Sequence, residues 1–428
     1  EVDLSTTQVM NLESYLSKKS VAELKDEINS ERHIDQERLR AIVAKGDGIQ
    51  CSELETVTAR HYGNVLFNVM RGGLFESAYK IDRGDFQEYL NQVSVRTAMK
   101  WADFVGTWPE EIHYDEVLSK VREQNDWDLE RVALEYLPLS FSRRHGDPSR
   151  PWNVFNINTR GTGGKRTLSY EGNWRDIFQN WEALAYTYPR FIQGMISKFL
   201  NASTIDAYNP YRISKSGIDW EVIEEDDPWA YIGYWGDHQI IYLQKLLEHW
   251  EKHESSAMSS EWNRPLYTYA NVPYRIRSFQ SILENPKDTI DFDSKLDASI
   301  RSEVEHLGSD ARMIWKGNQL LKATLGEKLL LTAITKLYNL VPDGGIWMNT
   351  QRPEWNDANN ALVGNGMSMV TLYYLRRYLS FLREKWTNTN LDLNEATGEL
   401  LTAIHKIFEE NKPLLTKGFD SKSRFDFV

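Results

Sequence analysis

Apolar and polar positions follow helical spacing over most of the chain. Residues 20–46, "SVAELKDEINSERHIDQERLRAIVAKG", are rich in Glu, Lys, Arg, Ala and Leu, and Gly46 is a natural stop. "HYGNVLFNVMRGG" and "DFQEYLNQVSVRTAMKWADFVG" repeat the same period. Further helices are predicted at about 175–188, 190–201, 237–252, 324–340 and 366–384, the fourth stopping at "VPDGG". No sustained period-two alternation occurs before about residue 130, so no sheet is predicted there. Beyond about 131 the loops lengthen and fill with Gly, Pro, Asn and Trp, while 284–322 is charged and reads as a helical excursion or an extended loop. No repeat of fixed short period is present.

This pattern predicts a mainly α fold of stacked antiparallel helix pairs. A chain of this size can curl such pairs into a ring, the (α/α) toroid, with loops at one end surrounding a pocket. The expected division is a helical N-terminal region, 1–130, and a toroid-type catalytic region, 131–428. Further domains or chains completing the barrel are part of that expectation.

Composition narrows the function. With 428 residues, 41% apolar and 26% charged, the chain has the makeup of a soluble globular protein large enough for one substantial core. The net charge of −12 and the lack of a basic tail argue against nucleic acid as a partner. No apolar run is long enough to span a bilayer. Cys51 is the sole cysteine, so no internal disulfide forms. With no signal-peptide pattern after Glu1, a cytoplasmic setting is expected. The unusual feature is 15 Trp and 21 Tyr, many beside Gly, Asn, Asp or Glu. An indole with polar company suits a ligand that has an apolar face and polar edges, as a sugar ring has.

Three stretches share one design: "YEGNWRDIFQNWEALAY", "GYWGDHQIIYLQKLLEHW" and "PEWNDANNALVGNGMSMVTLYYL". Each sets a Trp two residues before an Asp at the expected mouth of a helix: Trp174 and Asp176, Trp235 and Asp237, Trp355 and Asp357. Helix capping explains any one of these, since Asp is a good N-cap worth about 1 kcal/mol. Capping does not ask for an indole, and three copies point to a shared pocket. Glycosidic cleavage needs a general acid and a second partner: a carboxylate acting on water, a carboxylate nucleophile, or an external nucleophile such as phosphate. Carboxylates at different helix mouths around a ring can be held about 6.5–9.5 Å apart, as inversion requires. An apolar ring beside an acid helps keep it protonated.

The motifs "WRDIFQN" and "EWNDANN" resemble those of the inverting sugar phosphorylases that include cellobiose and chitobiose phosphorylases, and more distantly the glucoamylase-like α/α-toroid glycoside hydrolases. The resemblance covers roughly residues 140–385. It implies that Asp357 is the general acid, that Arg175 and Asp176 hold the sugar whose bond is cut, and that Asp237 and His238 of "WGDHQ" line the pocket. Ala358 stands where that family has Gly, the N-terminal part lacks the family's β-sandwich pattern, and no counterpart of its phosphate-binding residues follows Asp357.

Other signals fill in the picture. "NTRGTGGKRT" fails the P-loop spacing, yet its glycines with Arg160, Lys165 and Arg166 form a weak candidate anion nest. The loop 219–235 gathers Asp219, Trp220, Glu221, Asp227, Trp229 and Trp235, with Trp220 or Trp229 as a stacking platform and buried indole packing as the competing reading. His249 and His253, four apart, stand near a helix end and carry a low expectation of metal.

The expected activity is cleavage of an oligo- or polysaccharide with inversion, hydrolysis being favoured over phosphorolysis. Asp357 is the acid; Glu171, Asp227 and Glu354 are unranked candidates for the base. Trp174, Arg175, Asp176, Trp220, Trp229, Trp235, Asp237, His238, Trp355 and Asn356 are candidate substrate contacts. No cofactor is expected beyond inorganic phosphate as an alternative co-substrate. A non-catalytic carbohydrate-binding or assembly subunit on the same scaffold is the alternative of a different class.

Overall fold

The computed structural model describes residues 5–46, 56, 59–60, 62–65, 73–140, 167–210, 212–220, 222, 239–349 and 364–428. By contacts the chain divides into two compact units, Glu1–Phe67 and Asn68–Val428. The first holds the helices Thr6–Ser17 and Val21–Gly46. Ser5 opens the former with a reciprocal capping box to Gln8, and the latter ends at the Gly46 expected from sequence.

The second unit is mainly helical, with small two- and three-stranded sheets between the helices. Its helices include Trp174–Thr187, Ile192–Asn201, Gln239–Glu261, Leu325–Leu337 and Met369–Lys385, close to the five predicted. The expectation of no sheet before residue 130 is corrected: Lys80–Asp82 pairs with Glu111–His113, and Leu74–Phe75 with Leu139–Ser140. Strands of two or three residues are too short to show alternation. The 284–322 stretch resolves into strand Ile290–Phe292, helix Ser294–Leu307, a 3-10 turn Gly308–Arg312 and a hairpin of Trp315–Lys316 with Gln319–Leu320.

The helices form antiparallel pairs. Trp174 and Phe178, at the start of Trp174–Thr187, pack against Phe199, near the end of Ile192–Asn201, in tilted and edge-to-face contacts. Likewise Tyr378 of Met369–Lys385 donates to the Leu329 carbonyl at 3.0 Å, while Leu337 lies by Leu372. Burial assigns the layers. Ile192–Asn201 is buried at every position but Gln193, and Leu325–Leu337 is buried nearly all round. Met369–Lys385 instead buries one stripe, Thr371, Leu375, Tyr378 and Leu382, and turns Tyr373 to solvent.

Residues 74–140 form a helical lobe closed by its own neck. The strands Leu74–Phe75 and Leu139–Ser140 lie antiparallel, so the chain enters and leaves at one place. Between them run helices Arg83–Val93, Val95–Gly106, Tyr114–Glu123 and Trp127–Glu135, with Asp82, His113 and Asp126 capping three of them. The lobe shares one apolar core with the rest of the unit. Two glycines permit the contact. A Cβ on Gly194 would lie 2.4 Å from the Leu134 carbonyl oxygen, and one on Gly308, at φ +72°, would lie 2.7 Å from that of Gln92.

Buried charges fasten the same joint. Arg131, 1% exposed, donates to both Asp310 carboxylate oxygens at 2.8 Å and to Glu135 at 3.3 Å. Asn201 donates to Glu135 at 2.7 Å, and Lys215 to Asp85 at 2.6 Å. Burial pushes the Asp310 carboxyl up to about 6, against the pull of Arg131. Lys198, buried with its ammonium on the Lys215 carbonyl at 2.7 Å, is lowered to about 8 by desolvation.

Candidate functional site

The three motif-bearing helices lie side by side and run the same way. Trp174 meets Tyr242 with ring centres 6.3 Å apart. Further along, Glu182 accepts from Lys245 at 2.7 Å and lies 3.6 Å from His249, and Tyr186 packs on His249. Contacts therefore climb Trp174–Thr187 and Gln239–Glu261 in the same order, so the two are parallel. Arg377 on Glu248 and Lys385 on Glu251 relate Met369–Lys385 to Gln239–Glu261 in the same sense. All three present their N-termini to one end, where positive dipole ends and unpaired N–H groups favour anionic or hydroxyl-bearing ligands.

The elements that carry the loops also converge there. Strand Glu171–Asn173 leads directly into Trp174 and pairs with Arg212–Ser214, which pairs with Gly217–Asp219. Trp347 donates its indole N–H to the Gly364 carbonyl at 3.0 Å, Gly364 N–H to Met348 O at 2.6 Å, and Met348 N–H to Gly366 O at 3.0 Å. The chain thus departs after Asn349 and returns at Gly364 side by side. Tyr208 donates to Asn349 at 3.2 Å and accepts from Asn339 at 3.1 Å. Its neighbour Asn209 donates to the Phe199 carbonyl at 3.4 Å, and the Phe199 ring packs on Trp174 with centres 4.6 Å apart. A continuous run of contacts therefore links Asn349, Tyr208–Asn209, Phe199, Trp174 and Tyr242, the anchors of all three motif regions. Tyr208 is buried and its hydroxyl is pushed up to about 12, while burial also raises the Asp206 carboxyl.

Among the expected site residues, Glu171 lies at the start of the strand before Trp174, with Arg212 at 3.2 Å. Trp174 is fully buried in the aromatic cluster with Phe178, Phe199 and Tyr242. Arg175 and Asp176 are the second and third residues of Trp174–Thr187, so Asp176 is in the first turn rather than before it. Trp220 is 3% exposed; its indole donates to Asp297 at 2.7 Å, and the guanidiniums of Arg301 and Arg312 lie 5.6 and 5.9 Å from its ring. Glu354, Trp355, Asn356 and Asp357, Asp227, Trp229, Trp235, Asp237 and His238, and Arg160, Lys165 and Arg166 lie outside the described residues.

The helix after "EWND" opens at Met369, and its N-cap is Ser368, whose hydroxyl accepts from Thr371 N–H at 3.1 Å. Capping of that helix belongs to Ser368, eleven residues beyond Asp357. Sequence reasoning also missed Arg212 and the Tyr208–Asn339–Asn349 group. "AYNPYRIS" carries the aromatic-polar texture that flagged other loops, but it has no acid at a helix mouth. His249 sits against Glu182 and Tyr186, and burial lowers its imidazole. Among the described residues no group of three His, Cys, Asp or Glu is placed to hold a metal.

Residues 75–138 match the family model described as glycoside hydrolase family 149 insertion domain 1. The matched stretch falls within the neck-closed lobe of residues 74–140, the topology expected of an insertion, whose two ends must meet. The match relates the chain to the glycoside hydrolases. No curated protein matches it. No helix among the described residues is long and apolar enough to cross a membrane.

Proposed function

We propose that this protein cleaves glycosidic bonds of an oligo- or polysaccharide with inversion, on an (α/α) toroid-type scaffold. The observation that carries the reading is the coincidence of two independent facts. A glycoside hydrolase insertion domain matches the neck-closed lobe, and the three helices behind the Trp–Asp motifs run parallel toward one end. Antiparallel pairing with alternate helices in separate layers is the arrangement from which such rings are built.

In this reading Asp357 protonates the leaving oxygen. Arg175 and Asp176, in the first turn of their helix, hold the sugar ring beside the cleaved bond, with Asp237 and His238 in support. The base that activates water comes from Glu171, Asp227 or Glu354. Glu171 lies on the strand that leads into Trp174 and holds the Arg212 guanidinium at 3.2 Å, which fixes its carboxylate beside the motif helix. Of the three, Glu171 alone lies among the described residues, and that placement puts it first in line for the test. Tyr208, Asn339 and Asn349 position the stem of the acid-bearing loop. Phosphate in place of water gives phosphorolysis on the same acid.

The reading is tested by incubating the full chain with a panel of glycans, with and without inorganic phosphate, and identifying the products. Release of free sugar in phosphate-free buffer supports hydrolysis; sugar 1-phosphate formed only with phosphate supports phosphorolysis. Binding of glycans without turnover of any would replace the proposal by a carbohydrate-binding role.

A further inference from the structure

The side-by-side helices of this protein are joined by a repeated device. Glu182 of Trp174–Thr187 accepts from Lys245 of Gln239–Glu261 at 2.7 Å. Glu248 and Glu251 of Gln239–Glu261 accept in turn from Arg377, at 2.7 Å, and Lys385, at 2.6 Å, of Met369–Lys385. Each junction sets carboxylates of one helix against cations of the next. The opposite flank of Met369–Lys385 carries cations without the carboxylates. Arg376 and Arg383 are exposed, and among the described residues neither side chain makes a hydrogen bond or ion pair. Only their backbone carbonyls are engaged, by the hydroxyls of Ser380 at 2.9 Å and Thr387 at 2.7 Å. Seven residues apart, the two arginines lie on one face of the helix, about 10 Å apart along its axis.

An apolar cavity of about 350 Å³ runs beside them. Leu372, Leu375 and Leu379 form one wall; Leu337 and Leu340, from the end of Leu325–Leu337 and the strand after it, form the other. Of these only Leu375 is buried; the remaining four are half-exposed. A leucine-lined groove between two helices is the shape into which a third helix lays residues at i, i+3 or i+4, and i+7. The leucines supply affinity for any apolar face, and the two unpaired guanidiniums choose its charge. Carboxylates seven residues apart on the incoming helix share the rise that separates Arg376 from Arg383. We propose that the groove docks an amphipathic helix of a partner chain, with leucine-like residues on its contact face and carboxylates seven residues apart beside them. That helix extends the row of Trp174–Thr187, Gln239–Glu261 and Met369–Lys385 by the device that joins those three. The surface shares no residue with the proposed cleavage site and does not rest on that reading.

The test is fluorescence anisotropy of a labelled two-heptad helical peptide, leucines on one face and glutamates flanking them, titrated with the full chain. A twin peptide carries lysines at the flanking positions. The expected result is saturable binding of the glutamate peptide, at least tenfold tighter than its twin. The chain's net charge of −12 opposes that preference, so local pairing must produce it. Leu379→Asp should weaken binding at least tenfold. Arg376→Gln with Arg383→Gln should erase the preference, and Arg376→Glu with Arg383→Glu should reverse it. Both arginines are exposed and unpaired, so the glutamine pair should keep the melting temperature, and it carries the test if the glutamate pair folds poorly. No saturable binding, equal affinity for the twins, or indifference to the arginine substitutions would overturn the proposal. Sedimentation of the protein alone adds a second readout: self-association that the arginine substitutions abolish would give the groove to a second copy and overturn it as well.

Discussion

Asp310→Ala is the substitution on which the structure makes its strongest energetic statement. Asp310 is buried and accepts two 2.8 Å bonds from Arg131, a residue 1% exposed. Removing the carboxylate leaves a buried guanidinium whose remaining carboxylate hydrogen bond among the described residues is Glu135 at 3.3 Å, with Asp128 acting through space. Breaking a buried pair from one side costs about 3–5 kcal/mol, because the remaining charge stays desolvated. Against a total stability of about 5–15 kcal/mol, that is a large share. Replacing the buried group together, Arg131→Met, Asp310→Leu and Glu135→Gln, leaves no buried charge behind and keeps the hydrogen bond from Asn201, so it should cost less than Asp310→Ala alone. The exposed pair Lys80–Glu111, 3.4 Å apart in the same lobe, is the control; Lys80→Ala should change stability by about 1 kcal/mol or less. Urea unfolding followed by tryptophan fluorescence gives the energies. Hydrogen exchange should show the loss first in Trp127–Glu135 and Gly308–Arg312. An Asp310→Ala variant no less stable than Lys80→Ala would refute the argument that this pair fastens the lobe.

Other consequences follow from single residues. Lys198 is lowered to about 8 by burial, so between pH 8 and its ordinary value of about 10.5 the unfolded chain binds the extra proton and stability rises with pH. Lys198→Met should flatten that rise between pH 8 and 9.5 in urea unfolding; an identical slope in the variant would count against it. Gly194→Ala gains about 1 kcal/mol of helix propensity but sets a methyl 2.4 Å from the Leu134 carbonyl. With overpacking costing about 1–3 kcal/mol, thermal melting should show a net loss. Tyr208→Phe removes the hydroxyl shared by Asn339 and Asn349; on the proposed function it should lower kcat more than it raises KM, with about 1 kcal/mol lost in stability.

The long helices were legible because their period persists for a dozen residues or more, as in Leu325–Leu337 and Met369–Lys385. The lobe's closure was not, since its neck is two residues on each side. Ser368 is inconspicuous as a cap in the sequence because it stands between two methionines inside the apolar stretch "MSMVTLYYL". The Arg131–Asp310 pair spans 179 residues, and no spacing rule reaches that far. What sequence did reveal of the candidate site is the shared Trp–Asp texture. What it missed is that Tyr208, Phe199 and Trp174 tie the motif regions together, because those contacts arise only when the helices pair.

The most direct measurement is the anomeric configuration and rate of the first sugar released by the unsubstituted protein and by Asp357→Asn, followed by NMR on a cleaved glycan. Because Ser368 caps the following helix, Asp357→Asn should leave the melting temperature nearly unchanged. Loss of general acid catalysis should slow cleavage by about 10²–10⁴, sparing substrates with good leaving groups, and the product should first appear with inverted configuration. A retained configuration, or an Asp357→Asn variant that cleaves a natural glycan at near the full rate, would contradict the account.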